Sequence, residues 1–202
     1  MTISEYYVAL ETYVTKLEHK FIATYIPANP LHTPETYRMD VTAFCVLFHA
    51  AIEEYFEIIS TLCFNKSVDD WIATKRKNNV LIAICINLCK GFTIPNDGVI
   101  SKPITQLFRE KLEQARKNFE HDIESNHGAS KKYLSNIFNR IGIEIYSDPA
   151  LENSLSKIVE FRGEYAHQQP KKQLSPEDAK KYALDCLVYC LDVSIKAEEA
   201  LS

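Results

Sequence analysis

The segment from residue 37 to residue 64 constrains the fold more than any other part of the chain. Apolar side chains recur along it every three or four residues, which is the spacing of one face of an α-helix. They form two neighbouring lines, of Phe44, Leu47, Ala51, Ile58 and Leu62, and of Val41, Cys45, Phe48, Ile52, Tyr55 and Ile59. Because so much of its surface is apolar, other helices must cover it. The sequence therefore predicts a bundle with this helix at its centre.

The rest of the chain continues the helical pattern. Periodic apolar spacing and helix stop signals predict six further helices, near 3–26, 68–91, 103–125, 129–141, 148–168 and 175–200. The 202 residues include only five glycines, and 46% are hydrophobic. A chain of this size can bury a full core. We therefore expect one all-α domain spanning residues 1–202.

Charge and cysteine content narrow the class of function. The net charge of −4 argues against a protein that coats nucleic acid through its overall field, although a local basic site stays open. Residues 1–5 lack the basic start of a secretory signal, and no apolar run approaches the ~18 residues of a membrane span. We expect a cytoplasmic protein that has no cofactor and no membrane contact, with six reduced, metal-free cysteines. The pairs Cys85/Cys89 and Cys186/Cys190 leave a four-thiolate metal site as the alternative.

Arg162 interrupts an apolar stripe on the penultimate predicted helix. Steps of three and four residues connect it to Leu151, Leu155 and Ile158 on one side and to Tyr165 on the other. A guanidinium in that position needs a partner. Glu54 interrupts the central helix in the same way, so we expect a buried Glu54–Arg162 ion pair, in the same chain or across a dimer. The alternative, a solvated surface glutamate, stays open for Glu54 and is our interpretation of Glu53 and Glu57.

His167 follows Arg162 by five residues and precedes Pro170 by three. Because proline disfavours the helical conformation at the residue before it, the helix is predicted to end close to His167. A helix C-terminus favours protonated histidine. Arg116 and His121 have the same spacing, but Arg116 falls on the polar face of its predicted helix. We interpret that second pair as a coincidence.

An Arg-x4-His pair on the penultimate helix of an all-helical chain resembles the motif of the HEPN superfamily. The Asn126-His127-Gly128 turn, followed by a short helix, resembles the RiboL-PSP-like subset. This resemblance implies a metal-independent endoribonuclease that cleaves RNA by attack of the 2′-hydroxyl. It also implies an acidic residue near the motif, which we place at Glu54, with Glu53 as the alternative.

In that chemistry His167 would handle protons and Arg162 would stabilise the charged phosphorane. Four lysines are candidates for RNA binding, namely Lys131, Lys132, Lys171 and Lys172. The resemblance also implies a homodimer that brings two Arg/His pairs into one groove, with the motif helix and the helix beginning near Ser175 at the interface. A role as a toxin or phage-defence effector, with a cognate antitoxin or partner protein, is compatible with it.

Two positions depart from the family pattern. Gly163 stands where a polar residue usually follows the arginine, and Gln168 stands where a glycine usually follows the histidine. Gly163 removes a hydrogen-bonding group from the expected site. Two alternatives therefore stay open, a non-catalytic module that binds RNA, a nucleotide or a protein, and a helical scaffold in which Arg162 and His167 are structural.

Overall fold

The chain is helical throughout the parts that the structure describes. The computed structural model describes residues 1–29, 31–89, 102–125, 128–145, 148–167 and 174–202, with residues 163–167 as backbone alone. The helices are α1 (Ile3–Phe21), a 3-10 turn (Ala23–Tyr25), α2 (Pro34–Thr74), α3 (Asn79–Asn87), α4 (Ile104–Ser125), α5 (Lys131–Arg140), α6 (Pro149–His167) and α7 (Pro176–Leu201). No strand occurs in these ranges. The prediction of an all-α fold is confirmed.

Helix α2 is the centre of the bundle, as its two apolar lines predict. It is 41 residues long and packs against every other α-helix named above. Phe44, Phe48, Phe56 and Phe64 are fully buried along it. None of the helices in the described ranges combines the length and the apolar surface that a bilayer crossing requires.

The predicted break between the second and third helices is in the wrong place. Helix α2 continues through residues 65–67 to Thr74, and the chain breaks at 75–78 instead. Lys75 adopts a left-handed conformation, with φ at 63°. The buried hydroxyl of Ser67 donates to the side-chain oxygen of Asn78 (2.7 Å), which also accepts the backbone N–H of Leu81 (2.8 Å) and so caps α3. Lys75 to Lys77 therefore form a connection rather than the solvated face of a helix.

Helix α7 lies against α2 with α1 on one side and α6 on the other. Lys180 at the start of α7 donates to Glu18 near the end of α1 (2.5 Å). The Ser154 hydroxyl on α6 donates to Asp185 on α7 (2.6 Å), and Glu152 acts electrostatically on Tyr189. Since earlier residues of α6 face later residues of α7, the two helices are antiparallel. The C-terminal end of α6 therefore lies beside the start of α7.

The short helix α5 docks where it can reach both α2 and α6. Ser130 caps its start by accepting the N–H of Tyr133 (3.3 Å). Gly142 follows its end with φ at 73°, and a Cβ there would lie 2.7 Å from the Cβ of Ala83 on α3. Glycine is required at this position both for the backbone angle and for the close approach of α3.

Candidate functional site

Arg162 lies on the outer side of α6 and is exposed. Leu155 and Ile158 are buried, as the stripe predicts, and Phe161 packs against the core. The buried face thus advances from Ile158 by three residues to Phe161 rather than by four to Arg162. The prediction of a buried arginine is therefore wrong. Its guanidinium faces solvent, where a ligand can reach it.

Helix α6 is described as far as His167, and residues 168–173 lie outside the described ranges. The predicted helix stop after the histidine therefore stays a prediction. The His167 side chain lies outside the described part of the chain, as do Gln168, Lys171 and Lys172 and the Asn126-His127 turn. Their predicted roles stay predictions.

A histidine and a glutamate on α2 form a second polar group close to Arg162. His49 is 1% exposed, and its Nδ1 lies 3.5 Å from Oε2 of Glu53, whose side chain is 14% exposed. The two residues are four apart, so they lie on the same helix face. Buried polar atoms need hydrogen-bond or charge partners close by, so the His49 and Glu53 side chains are expected to hold each other in place.

Arg162 acts electrostatically on this pair. Burial lowers the pKa of His49 below its ordinary value of 6.5, the Glu53 carboxylate partly offsets that effect, and the Arg162 charge lowers the pKa further. The guanidinium is therefore within electrostatic range of the imidazole. His49 is mainly neutral at pH 7, and Glu53 supplies negative charge next to it.

Tyr133 on α5 joins the same region. Burial raises its pKa to about 12, and the carboxylates of Glu57 and Glu53 raise it as well. The phenol therefore keeps its proton at neutral pH and can donate a hydrogen bond. Residues 49, 53 and 57 are successive positions of one α2 face, so α5 and α6 approach α2 along the same line of polar side chains.

Glu54 does not take part in a buried ion pair. It is exposed and lines a cleft of about 370 Å³ between α1 and α2, together with Tyr6, Tyr13 and Leu47. Adjacent helical positions differ by about 100° around the axis, so Glu54 turns toward α1 while Glu53 turns toward the other side. The predicted buried pair with Arg162 within one chain is wrong, because both residues are exposed. A contact across a dimer stays a prediction, and Glu53, which acts on His49 as Arg162 does, becomes the next candidate for the acidic residue.

The lysines at the start of α5 extend from the same side of the bundle as α6. Lys131 and Lys132 are both exposed, and Nζ of Lys131 lies 2.6 Å from Oε1 of Glu152 on α6. This ion pair connects α5 to α6 and offsets the charge of Lys131. Lys132 is the better candidate for a phosphate contact.

The second Arg-x4-His pair has a structural environment. The side chain of Arg116 is 21% exposed and binds Asp69 of α2 (2.6 Å), so it connects α4 to α2 rather than lying on a solvated face. His121 is exposed beside Arg140 in a different cleft of about 340 Å³. Arg116 therefore has a structural ion pair, and His121 lines a cleft that does not include Arg116 or its partner Asp69. We keep the interpretation that the spacing of this pair is a coincidence.

The cysteines are free thiols. Within the described ranges, no three His, Cys, Asp or Glu side chains come together in a way that could hold a metal ion. Burial raises the pKa of Cys45 and of Cys63 to about 12. A hydrogen bond between the partly exposed Cys85 and Cys89 lowers the pKa of Cys85 to about 7 and raises that of Cys89.

Sequence reasoning missed His49 and Tyr133. The signal for His49 was its place next to Phe48 in the most apolar helix, four residues before a glutamate. A buried histidine at that spacing indicates a local acidic partner. Nothing in the sequence near Tyr133 indicates its approach to Glu53 and Glu57, since that contact depends on how α5 docks.

The comparisons with known proteins agree with this architecture. No curated protein and no solved structure matches the chain. The model of the RiboL-PSP-HEPN family matches residues 9–199, which is nearly the whole sequence. The chain belongs to the RiboL-PSP-HEPN family.

Proposed function

We propose that this protein is a metal-independent endoribonuclease that cleaves single-stranded or loop RNA by attack of the 2′-hydroxyl. The observation that carries the proposal is the exposure of Arg162 near the end of the described part of α6, within electrostatic range of His49. Family membership is compatible with a nuclease or another RNA-related module, and the exposed guanidinium favours a site that a phosphate can reach.

Arg162 is the proposed phosphate-binding residue. A guanidinium presents a planar fork of N–H donors that matches two phosphate oxygens. Charge builds on those oxygens as the phosphorane forms, so a fixed cation there stabilises the transition state more than the ground state. The exposure of Arg162 fits this role better than the buried position predicted from the sequence.

His167 is the proposed proton-transfer residue. His167 would serve an oxygen next to the phosphate that Arg162 holds. The C-terminal end of α6 favours the imidazolium form. His167 would then protonate the leaving 5′-oxygen, or deprotonate the 2′-hydroxyl when neutral.

We assign His49, Glu53 and Tyr133 to positioning. Glu53 provides the acidic charge near Arg162 and holds His49 (3.5 Å). Tyr133 stays protonated beside the same carboxylates. In this proposal the three residues fix the approach of α2, α5 and α6, and thereby the direction of the arginine.

The test compares His167→Ala and Arg162→Ala with the unchanged protein on a mixed RNA pool. We expect both substitutions to abolish cleavage, EDTA to leave it intact, and the products to carry 2′,3′-cyclic phosphates. His121→Ala is the matched control, because His121 has the same spacing from an arginine and is exposed. It should cleave like the unchanged protein.

Gly163 is the observation that favours a second candidate, a module that binds RNA without cutting it. If the protein binds RNA but shows no cleavage that depends on His167, that candidate is supported over the nuclease. Absence of both binding and cleavage would support the scaffold.

The proposed biological role is that of a toxin or phage-defence effector with a cognate antitoxin. Its test is expression in a bacterial host, where the unchanged protein should arrest growth and His167→Ala should not. Growth arrest by both proteins would exclude RNA cleavage as its cause.

A further inference from the structure

Helices α1 and α2 form a cleft of about 370 Å³ beside the middle of α2. Met1 and residues 6–13 line it from the side of α1, and residues 47–58 line it from the side of α2. We refer to this space as the α1–α2 cleft. Its volume is within the range of small-molecule sites, which combine an apolar lining with a few polar groups. The cleft is therefore large enough to hold a small organic ligand.

Apolar and aromatic side chains form most of this lining. The aromatic rings belong to Tyr6, Tyr13 and Tyr55. The space between the helices is left by three small residues, Ala9, Ala50 and Ala51. Tyr13 is 43% exposed and Leu47 is 37% exposed, so a ligand can enter from solvent. Glu54 is the only charged side chain among the described residues that line the cleft.

Glu54 stands in an apolar line of α2. Ala51 precedes it and Ile58 follows it on the same side of the helix, and both of these residues line the cleft. Glu54 is exposed, and it forms no ion pair or hydrogen bond with another residue in the described ranges. The apolar wall thus carries one carboxylate whose oxygens are available to a ligand.

A second cleft, of about 390 Å³, meets the first one at Glu54. The two clefts share Tyr6, Glu54 and Ile58. The second cleft adds the polar side chains of Glu57, Thr61 and Asn65. Glu57 lies three residues after Glu54, so both carboxylates are on one side of α2 and add their negative charge there. A positive group at this junction would meet negative charge while its apolar body occupies the α1–α2 cleft.

We infer that the α1–α2 cleft binds a small organic ammonium ion whose apolar body is a ring or a short alkyl chain. The ammonium group would donate to Glu54 in a charge-assisted hydrogen bond. Aromatic rings attract cations through the negative charge of their faces, so Tyr6 and Tyr13 favour the same charge. The apolar body would exchange water for the surface that Leu47 and the alanines supply.

Charge disfavours the other two kinds of small ligand. The charged side chains among the described residues that line the two clefts are Glu54 and Glu57, so an anion would be repelled. A neutral apolar ligand would displace water from Glu54 and give the carboxylate no partner in return. An organic cation satisfies both the carboxylate and the apolar walls. This inference does not depend on the proposed nuclease activity, because Glu54 and Glu53 face different sides of α2.

Three probes of similar shape test the charge preference, namely 2-phenylethylammonium, the neutral 2-phenylethanol and the anion 3-phenylpropanoate. Titration followed by two-dimensional proton–nitrogen NMR measures weak binding and shows which backbone amides respond. We expect the ammonium ion to shift the amides of Ala9, Ala50 and Ala51. Its dissociation constant should be on the order of 0.5 mM, because ligands with few atoms reach limited affinity. The alcohol should bind about 5-fold more weakly, and the anion at least ~20-fold more weakly.

Substitutions at Glu54 and Ala50 separate the effect of charge from that of space. Glu54→Gln keeps the shape of the side chain and removes its charge, so the ammonium ion and the alcohol should then bind within about 2-fold of each other. Ala50→Phe should weaken both by at least ~10-fold, because the ring fills the cleft from an exposed position. Glu144→Gln is the matched control, since it removes the same charge from an exposed glutamate outside the cleft. It should leave all three dissociation constants unchanged.

Several results would overturn the proposal. Equal binding of the ammonium ion and the alcohol by the unchanged protein, or a preference that Glu54→Gln leaves intact, would show that the carboxylate does not select the ligand. Absence of shifts at the cleft with about 10 mM ammonium ion would show that the cleft does not bind it. Tighter binding to Arg162→Ala than to the unchanged protein would show that Arg162 of the partner subunit fills the cleft instead, as the predicted contact across a dimer requires.

Discussion

The coupling between Arg162 and His49 predicts how the free energy of unfolding depends on pH. Burial, and to a smaller extent the Arg162 charge, lowers the pKa of His49 below 6.5 in the folded protein. The Glu53 carboxylate offsets part of that decrease. The unfolded chain therefore binds a proton at this position more tightly than the folded chain. As the pH falls below about 6.5, unfolding takes up protons and the free energy of unfolding decreases. Stability from this group is present above that pH and is lost below it.

The size of the effect follows from linkage. One group can contribute at most about 1.4 kcal/mol per pH unit. Because the unfolded histidine is only about half protonated at pH 6.5, the loss between pH 6.5 and pH 5.5 is at most about 1 kcal/mol, which in a protein of this size is a fall of roughly 2–4 °C in melting temperature. His49→Gln should remove that part of the slope, whatever its effect on stability at pH 7. Arg162→Ala should reduce it, because the pKa of His49 rises when the neighbouring positive charge is absent.

The measurement is urea denaturation at half-unit steps from pH 5 to pH 7.5, followed by circular dichroism. His121→Gln is the control, since His121 is exposed on α4 and should leave the slope unchanged. An NMR titration of His49 in the unchanged protein and in Arg162→Ala gives the pKa change directly. If Arg162→Ala leaves the His49 titration where it was, the guanidinium is not beside the imidazole and the site as we describe it is wrong.

Four substitutions have outcomes that the structure determines. Arg162→Ala should change the free energy of unfolding at pH 7.5 by no more than about 0.5 kcal/mol while removing RNA cleavage, because the side chain is exposed; a larger loss in chemical denaturation would indicate a structural role. Gly142→Ala should lower the free energy of unfolding by about 2–3 kcal/mol, because alanine meets both a left-handed backbone and a close contact there. Gly128→Ala should lower it by less. At that position φ is 126° and nothing lies within 4 Å of the added Cβ, so alanine meets the backbone strain alone. Asn78→Ala should cost about 2–4 kcal/mol, because it removes the cap of α3 and the hydrogen-bond partner of buried Ser67; thermal unfolding that matches the unchanged protein would contradict this.

Features that depend on a few neighbouring residues could be predicted from the sequence. The start of α7 follows from Ser175 and Pro176, because capping and proline effects act within a few residues. The central position of α2 follows from its broad apolar surface. These are the features that the sequence predicts correctly.

Other features depend on contacts between distant residues. The chain passes through residues 65–67 as helix because Ser67 bonds Asn78, and no local rule encodes that bond. The spacing of apolar residues also predicts which side of a helix is buried only to within about one residue, or 100° of rotation around the helix axis. This is why the sequence predicts Arg162 in the core, whereas Phe161 packs there, and why it predicts a buried Glu54, which is exposed.

The thiol pair at the end of α3 has a practical consequence for experiments on this protein. With a pKa of about 7, Cys85 is close to half ionised at neutral pH, whereas burial keeps Cys45, Cys63 and Cys186 protonated. A maleimide dye added in limiting amount should therefore attach first at Cys85, which peptide mass mapping can verify. Donor and acceptor dyes at that position would report the predicted self-association by energy transfer, with no cysteine introduced.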